Sequence, residues 1–385
     1  MPVEAVAVPA GTTTMEITVS KFALLRELTA TQGVVERKTT IPILSNYLFE
    51  AAGDRLTLTA TDLDLSLRTA CAAKVKKEGS CTIPARKLYD YVKLLPDADI
   101  TIKLLENHWV SIRCGRSNTK MVGMPRSNFP SLPQFPTVGS VKIPTAVLEA
   151  MIAKTSFAVA NEESRYTLNG ALMVLKTESI TVVATDGHRL AHVERAGERF
   201  EGVSGEIKTL IPKKAMDEMK SLLDTSDSEL VDFARDQSTL YFQIGPRLLT
   251  CRQLTGQFPN YEAVLPRDNN RSVVVNCEDL SAAIQRVAQF ADERSRAVRV
   301  KMDTGELKIS ASSTDSGESE DSIETSYNGD SITIGFNAQY LLDFLKAIGS
   351  GSVRLELKDS QSAGQLRPGE GDDYKYRYVV MPMRI

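Results

Sequence analysis

The sequence predicts an α+β chain made of three tandem repeats, each with two helices packed on a mostly antiparallel sheet. Three observations lead to this fold class. One pattern of about 125 residues occurs three times. Within each copy, segments of helical period alternate with segments of period two. Proline-rich stretches separate the copies. A repeat of this length indicates three similar domains in series.

Each repeat is expected to open with a short strand and a helix. Valine and isoleucine favour a strand at the start of each copy. Apolar residues at helical spacing then predict a helix with one buried face. The three strands are expected at 16–19, 141–143 and 273–275, and the helices at 22–28, 147–152 and 280–287.

An alternating strand follows, at 56–62, 180–186 and, in drifted form, 307–311. The first two copies end in Ala-Thr-Asp. Successive side chains of a strand point to opposite faces, so the alternation sets which residues are buried. In the first copy we expect Leu56, Leu58 and Ala60 to point inward and Thr57 and Thr59 outward.

A second helix follows Ile83-Pro84, Ile211-Pro212 and Ile334-Gly335. Proline suits the first turn of a helix, where its missing N–H has no partner to lose. We therefore expect Pro84 and Pro212 in the first helical turns.

The proline-rich segments 129–136 and 258–266 set the boundaries. The polar stretch 312–321 is rich in serine and acidic residues, which predicts a mobile acidic loop. The expected organisation is a flexible N-terminal extension (1–14) and three domains (15–139, 140–267 and 268–385).

Composition excludes several classes of protein. A chain of 385 residues is too long for a single core, and 42% hydrophobic with 25% charged residues is ordinary for a globular protein. No run of about 18 apolar residues predicts a membrane span. The start of the chain lacks the pattern of a signal peptide. Five cysteines lie far apart without a Cys-x-x-Cys pair, which favours reduced thiols in a cytoplasm over zinc or disulfides.

Charge is distributed unevenly between the helices and the rest of the chain. Six windows around the predicted helices (20–31, 85–95, 145–157, 212–223, 278–291 and 337–348) hold eleven Lys or Arg and eight Asp or Glu, a net charge of +3 against −3 for the whole chain. Such an excess is also compatible with ordinary solvated helix faces. Alternatively, it forms a weakly positive surface that contacts phosphates without reading bases.

The threefold repeat favours the second interpretation. Two chains joined head to tail would line a closed ring with twelve helices. Helices about 10 Å wide would leave a hole about 28 Å across, and duplex DNA is about 20 Å wide. A ring is retained by topology, so weak phosphate contacts suffice.

The segment Ala184–Leu190 is the strongest candidate for chemistry. Asp186, His188 and His192 could serve a metal-dependent hydrolase, with histidine as base and aspartate as its orienting group. No Gly-x-Ser-x-Gly motif and no phosphate-binding loop accompany them. We therefore expect no catalytic residue, no metal and no cofactor, and the hydrolase stays the minor alternative.

The segment Tyr378–Ile385 is the second unusual feature, because a strand rich in valine and methionine continues to the end of the sequence. Flexible methionine surfaces suit the binding of many different peptides. The same residues could instead complete the last core strand.

Several segments together resemble one family. They are Ala184-Thr-Asp-Gly-His-Arg-Leu190, Val379-Val-Met-Pro-Met-Arg-Ile385, Arg165-Tyr-x-Leu-Asn-Gly170, Ile41-Pro-Ile-Leu44 and Phe258-Pro-Asn-Tyr261. Over residues 15–385 the chain resembles the bacterial DNA polymerase III β subunits, the replicative sliding clamps. The resemblance implies a head-to-tail dimer that forms a six-domain ring around duplex DNA, with helices inside and sheets outside.

The resemblance also implies a peptide pocket between the second and third domains. It would receive short motifs of the replicative polymerase α subunit, the clamp loader, other polymerases and mismatch-repair proteins. Ala263 stands where family members often have arginine, which puts one polar contact in doubt. The implied pocket residues are Leu168, Thr185, Gly187, His188, Arg189, Leu190, Pro259, Val264, Asn337, Tyr340, Val379, Met381, Pro382 and Met383.

DNA contacts and the dimer interface are implied in the same way. The family is non-catalytic and acts in the cytoplasm, at the nucleoid. A clamp paralogue for a specialised polymerase or for drug resistance is an alternative. The implied DNA-binding residues are Lys38, Arg86, Lys87, Arg165, Tyr166, Lys213 and Lys214, and the implied interface residues are Arg113, Arg116, Gln289 and Phe290.

Overall fold

The computed structural model describes residues 14–36, 39–137, 139–161, 166–203, 205–371 and 373–384. The expected N-terminal extension, apart from Thr14, lies outside these ranges, as do Lys38 and Arg165. The chain divides into two compact units, the first formed by residues up to Ala146 with Lys214–Gln253, the second by Val147–Lys213 with Leu254 onward. The domain boundaries at 139/140 and 267/268 stay predictions.

Within the described ranges, the six helices lie where the repeat predicts them. Side chains cap three of them, because the first N–H groups of a helix lack partners within it. Ser20 accepts from the Ala23 N–H, Asn276 from those of Glu278 and Asp279, and Asn337 from those of Gln339 and Tyr340. The helices are α1 (Lys21–Ala30), α2 (Ala85–Leu94), α3 (Thr145–Ala153), α4 (Lys213–Leu223), α5 (Cys277–Val287) and α6 (Ala338–Ile348).

The first unit contains two antiparallel sheets. A five-stranded sheet has the order β5 (Lys74–Lys77), β1 (Glu16–Ser20), β7 (Asp99–Leu104), β8 (Trp109–Cys114) and β9 (Ser117–Val122). An eight-stranded sheet has the order β10 (Val141–Pro144), β15 (Leu230–Arg235), β16 (Thr239–Ile244), β17 (Arg247–Arg252), β4 (Leu65–Ala72), β3 (Arg55–Thr61), β2 (Asn46–Ala52) and β6 (Gly79–Pro84). The pair β4–β17 joins the first repeat to the second.

The second unit repeats this plan. Its eight-stranded sheet has the order β14 (Ile207–Pro212), β11 (Gly170–Lys176), β12 (Ser179–Thr185), β13 (Arg189–Ala196), β25 (Tyr374–Val380), β24 (Gly364–Pro368), β23 (Ser352–Leu357) and β18 (Arg271–Asn276). A four-stranded sheet has the order β21 (Gly317–Glu324), β20 (Glu306–Ser313), β19 (Ala297–Asp303) and β22 (Ile332–Asn337). The pair β13–β25 joins the second repeat to the third. The predicted α+β class and the order strand, helix, strand, helix are therefore confirmed.

The expected mobile loop at 312–321 is wrong. Most of it is the hairpin of β20 and the edge strand β21, whose register runs from Glu306↔Glu324 to Ser313↔Gly317. The charges have partners on this hairpin and on α5: Lys308 pairs with Glu320 at 2.8 Å and Arg286 with Asp321 at 2.6 Å. Charged residues are typical of an edge strand, because they discourage pairing with another chain. Composition alone does not distinguish such a charged edge strand from a mobile loop.

Three local predictions also need correction. Pro84 and Pro212 are the last residues of β6 and β14, so each precedes its helix and does not lie in the first turn. Thr59 does not face solvent, since it is 1% exposed. Among the described residues, its hydroxyl has no hydrogen-bond partner. The second face of the sheet is covered as well at this position, and a period-two pattern does not reveal such burial. The last strand ends at Val380, and Met383 makes only an isolated bridge to Gly335.

All five cysteines are buried and free. Across the described ranges, no helix is long and apolar enough to cross a membrane.

Candidate functional site

The turn between β12 and β13 is fixed by its own side chains. Asp186 Oδ1 accepts the N–H groups of His188 and Arg189 at 2.9 and 3.0 Å. Thr185 Oγ1 donates to the Arg189 carbonyl at 2.6 Å and accepts from the Gly187 N–H at 3.1 Å. Gly187 has φ +88°, a conformation that glycine adopts without strain. The Ala-Thr-Asp motif that ends this strand is therefore part of a structural turn.

The first repeat contains the same turn. Asp62 Oδ1 accepts the N–H groups of Asp64 and Leu65 at 3.0 and 2.6 Å, and Thr61 Oγ1 accepts that of Leu63 at 3.0 Å. Leu63 takes the position of the glycine and keeps φ +84°, which is strained for a leucine. The hydrogen bonds to the Thr-Asp pair are strong enough to impose this backbone on both residue types.

Arg189 is held entirely by its own chain. Its guanidinium donates to Asp186 at 3.0 Å, to Asp343 at 2.6 Å and to the Phe157 carbonyl at 2.7 Å. It also lies over the Tyr340 ring at 4.3 Å. Its side chain is only 10% exposed. Arg189 therefore shapes the predicted pocket and positions Tyr340, with few donors left for a ligand.

The last strand forms one side of the predicted pocket. Leu190 lies directly opposite Val379 on β25. Beyond the strand, the Met381 N–H donates to the His188 carbonyl at 2.9 Å, and the Met383 N–H donates to the Gly335 carbonyl at 2.8 Å. These bonds hold the segment after β25 beside the turn. The side chain of Met381 is 44% exposed, so an apolar surface is accessible there.

An apolar cluster underlies this side of the sheet. Leu190 and Val379, whose place in a peptide pocket stays a prediction, belong to this cluster, and Leu168 packs against it. Its other members were missed: Leu172, Val174, Val183, Leu210 and Phe258. The unbroken apolar run of β11 was the available signal, because a strand buried on both faces shows no alternation.

The segment 254–266 covers part of the cluster. Leu254, Tyr261 and Leu265 pack against it. Arg377 Nη2 donates to the Pro266 carbonyl at 2.6 Å, which fixes the end of the segment. Pro259, Val264 and Ala263 are exposed on this segment. The predicted residues Pro259 and Val264 thus border the apolar cluster, and Val264 leaves 44% of its surface accessible.

Two residues of the predicted pocket at the start of α6, Asn337 before the helix and Tyr340 within it, differ in role. Asn337 caps the helix and donates to the Ser295 carbonyl at 3.5 Å. Tyr340 stacks on Arg189, and its carbonyl accepts from the Tyr378 hydroxyl at 2.9 Å. Pro382 lies between the anchored residues Met381 and Met383 and is half-buried.

The geometry gives no support to a hydrolase. Asp186 is occupied by its turn and Arg189, and His188 is exposed. His192 is buried beside the Tyr261 ring, with centroids 5.6 Å apart, and burial lowers the pKa of its imidazole. Within the ranges that the structure covers, no three potential metal ligands come together.

The predicted DNA-binding residues differ in their surroundings. On α2, Arg86 and Lys87 are exposed, and Arg86 has only a weak contact with Asp90 at 3.9 Å. Lys214 pairs with Asp62 and, at 3.8 Å, with Glu36. Tyr166 is 52% exposed, and Lys213 is half-buried with its N–H bonded to the Asn169 carbonyl at 2.9 Å. Among the described members of this set, Arg86 and Lys87 are therefore exposed cations without a close ion pair.

The predicted interface residues are accessible in their own units. Arg113 and Arg116 are exposed at β8 and the turn after it, in the first unit. In the second unit, Gln289 is exposed and Phe290 is half-buried just after α5. Accessibility is necessary for a dimer contact, and the pairing of these surfaces stays a prediction.

Models of one protein family match three consecutive segments of the chain. Models of the DNA polymerase III beta subunit match in chain order: the N-terminal domain at 15–133, the central domain at 142–260 and the C-terminal domain at 262–384. The beta sliding clamp of Pseudomonas aeruginosa is 36% identical over 373 residues, covering 96% of this chain and 100% of that protein. That of Caulobacter vibrioides is 34% identical over 381 residues, with the same coverage.

Solved structures of sliding clamps are also similar to this chain. The crystal structure of the Pseudomonas aeruginosa sliding clamp bound to griselimycin has a TM-score of 0.89 at 36% identity, covering 96% of this chain and 100% of that one. Three consecutive domain matches and full-length similarity leave one assignment: the chain belongs to the family of bacterial DNA polymerase III beta subunits, the beta sliding clamps.

Proposed function

We propose that two copies of this chain close head to tail into a ring around duplex DNA and tether replication proteins to it. The observation that carries this proposal is the match of all three beta-subunit domains, in order, along one chain. The role is mechanical and not catalytic: the protein supplies processivity to a polymerase and needs no cofactor.

The way the repeats are joined supports a ring. At β4–β17 and at β13–β25, two antiparallel strands of successive repeats pair directly. At each junction, strand pairing satisfies backbone N–H and C=O groups that would lack partners if these strands lay at the edge of a sheet. Sheets that continue from one repeat to the next suit the outer wall of a closed ring. Six such repeats, from two chains, would complete it.

Duplex DNA is the partner inside the ring. The six windows around the helices have a net charge of +3, and Arg86 and Lys87 on α2 are exposed. Contacts to phosphates carry no sequence information, which suits a clamp that must slide. Lys213, Lys214 and Tyr166 would add contacts of the same kind.

Protein partners dock at the apolar pocket of the second unit. Leu190, Val379 and Leu168 provide a preformed apolar wall, and Met381 and Val264 are exposed at its border. An extended peptide could bury its own apolar side chains there, while methionine adapts to different sequences. The partners are short motifs of the replicative polymerase α subunit, the clamp loader, other polymerases and mismatch-repair proteins, at the nucleoid in the cytoplasm.

Retention on circular DNA tests the proposal. The clamp is loaded by its clamp loader onto a nicked circular plasmid and separated from free protein by gel filtration. We expect it to stay with the circle for many minutes and to leave when one restriction cut linearises the plasmid. A clamp held by topology behaves this way at moderately high salt, because its retention does not depend on phosphate contacts. Equal retention on circular and linear DNA would contradict the ring.

A further inference from the structure

The first unit contains a groove that the clamp function does not use. It has a volume of about 1170 Å³ and lies against the eight-stranded sheet, beside the segment that follows the first repeat. Pockets for small molecules occupy about 300–1,000 Å³. The groove is therefore large enough for a ligand of peptide size.

Its floor is one row of residues that face each other across five neighbouring strands. Lys142 on β10 lies opposite Asp232, and Asp232 lies opposite Gln243. Gln243 lies opposite Leu248, and Leu248 lies opposite Arg68 on β4. All five residues line the groove. Strands about 4.8 Å apart give this row a length of about 19 Å.

Arg68 is one of the two cations of the floor, the other being Lys142. Arg68 is half-buried, and its charged neighbours Glu50 and Arg126 pair with each other at 3.3 Å. Among the described residues, no hydrogen bond or ion pair reaches its guanidinium. Burial lowers the pKa of Arg68; the attraction of the Glu50 carboxylate opposes this, and the repulsion from Arg126 adds to it. A half-buried guanidinium has five donors and is stabilised by any carboxylate that reaches it.

The rest of the groove combines apolar and polar side chains. Leu248 and Phe135 pack with Tyr241 in a small cluster, and Leu230 is 42% exposed at the rim. The charged lining residues are Arg55, Arg68 and Lys142 against Asp54 and Asp232. The groove therefore has an excess of a single positive charge. A ligand that complements it carries both apolar and polar groups and one net negative charge.

The groove is not a second copy of the apolar pocket, although the repeat makes the two positions comparable. The cross-strand pair Leu190–Val379 of the second unit corresponds to Ser66–Thr250 in the first. His192, which Tyr261 covers, corresponds to Arg68. In the first unit, hydroxyl-bearing residues thus stand where the second has two apolar residues, and an arginine stands where it has a histidine. The class of ligand expected at the two positions therefore differs. The same backbone thus presents a polar, cationic floor.

From this charge complementarity we propose that the groove docks an extended peptide segment of a partner protein that mixes apolar and uncharged polar side chains and carries one carboxylate, which binds Arg68. At about 3.3 Å per residue, the 19 Å row accommodates about six residues. Nucleic acid does not fit this lining, because a polyphosphate would meet Asp54 and Asp232 with one excess cation to offset its charges. The proposal goes beyond the clamp function and does not depend on the ring.

Two peptide pools test the proposal on the full-length protein. Both contain acetylated, amidated heptapeptides with random Val, Leu, Phe or Ser around a central residue, which is Glu in one pool and Gln in the other. Met381→Asp, at a side chain that is 44% exposed, serves as the background, so that the apolar pocket does not contribute. A peptide retained from the Glu pool is then measured on Arg68→Gln, on Arg68→Lys and on the matched control Arg252→Gln. Arg252 is exposed on β17, outside the groove, with only a 3.8 Å contact to Asp64.

We expect the Glu peptide to bind at least about tenfold tighter than its Gln counterpart. Arg68→Gln should remove this difference, Arg68→Lys should retain part of it, and Arg252→Gln should leave it unchanged. The melting temperature of Arg68→Gln, compared with its parent, checks folding. No retained peptide, equal binding of the two peptides, or competition by a twelve-nucleotide thymidine oligomer would each overturn the proposal.

Discussion

Glu27 on α1 and Arg247 on β17 form a buried ion pair across the first unit. Arg247 Nε lies 3.0 Å from Glu27 Oε2 and Nη2 lies 3.3 Å from Oε1, with side chains 5% and 0% exposed. Thr69 also donates to Glu27, at 2.6 Å, and Arg247 donates to Thr225 at 3.1 Å. The pair connects a helix of the first repeat to a strand of the second, beside the β4–β17 junction.

Loss of one partner should destabilise the protein strongly. Arg247→Met leaves the Glu27 carboxylate buried without its main donor, and such changes cost about 3–5 kcal/mol. The free energy of unfolding, measured by urea denaturation with circular dichroism, provides the test. The double variant Glu27→Leu/Arg247→Met should recover much of the loss, because no charge stays buried. If Arg247→Met is as mild as the exposed control Arg252→Gln, the pair is not a structural link.

The same pair predicts a dependence of stability on pH. Burial acts to raise the pKa of Glu27, but donors from Arg247, Thr69 and Arg26 outweigh it and lower the pKa below its usual value. A carboxyl whose pKa is lower in the folded state stabilises the fold above its unfolded pKa of about 4.3. That contribution is lost as the pH falls below this value.

We therefore expect Glu27→Gln to reduce the free energy of unfolding at pH 6–7 and to have a smaller effect near pH 3. Glu218→Gln is a control of opposite sign, since burial raises the pKa of Glu218. That variant should stabilise the protein at neutral pH and lose its effect in acid. A constant effect of Glu27→Gln from pH 3 to 7 would contradict the assigned role.

Removal of residues 381–385 should abolish binding at the apolar pocket. The deletion takes away Met381 and Met383 and the two backbone bonds that anchor them. Loss of two apolar side chains of about 1.5–3 kcal/mol each weakens binding by about a hundredfold or more. Calorimetry with a clamp-binding peptide of the replicative polymerase measures this. Deletion of residues 384–385 alone is the control, and unchanged affinity after the longer deletion would refute the pocket.

The exposed cations of α2 should contribute to the salt dependence of DNA binding. Each lost phosphate contact reduces the slope of log K against log salt by about 0.9. Arg86→Gln/Lys87→Gln should therefore lower it by about 1.8, as measured by fluorescence anisotropy with a short duplex. Lys214→Gln should have a smaller effect, because Lys214 already pairs with Asp62 and Glu36. An unchanged slope in the double variant would place α2 away from DNA.

Phe290→Asp should weaken the dimer. A half-buried aromatic side chain at the core of an interface is typical of a hot spot, whose loss costs at least about 2 kcal/mol. Sedimentation velocity at micromolar concentration should show a larger monomer fraction than in the wild type. Val274→Asp is a suitable control, since Val274 is 41% exposed on β18, in the same unit. A dimer of wild-type strength in Phe290→Asp would move the interface elsewhere.

Local features could be predicted from the sequence because they depend on neighbours in the chain. The helices follow apolar residues at helical spacing, and Asn276 and Asn337 cap theirs within three residues. The Thr-Asp turn recurs because Thr185 and Asp186 form its hydrogen bonds with residues two or three positions further along the chain. The edge strand β21 was missed for the opposite reason: its charges are stabilised by Lys308 and Arg286, on a neighbouring strand and on α5.

The sequence by itself determined the threefold repeat, the α+β class and the family of this protein, since periodicity and motifs are properties of consecutive residues. Only the tertiary structure decided which side chains meet. It paired Glu27 with Arg247, separated by 220 positions, and Arg189 with Asp343, separated by 154. It also aligned Lys142, Asp232 and Arg68 in one row across the sheet. Strand register brings distant residues together, and no local pattern specifies it.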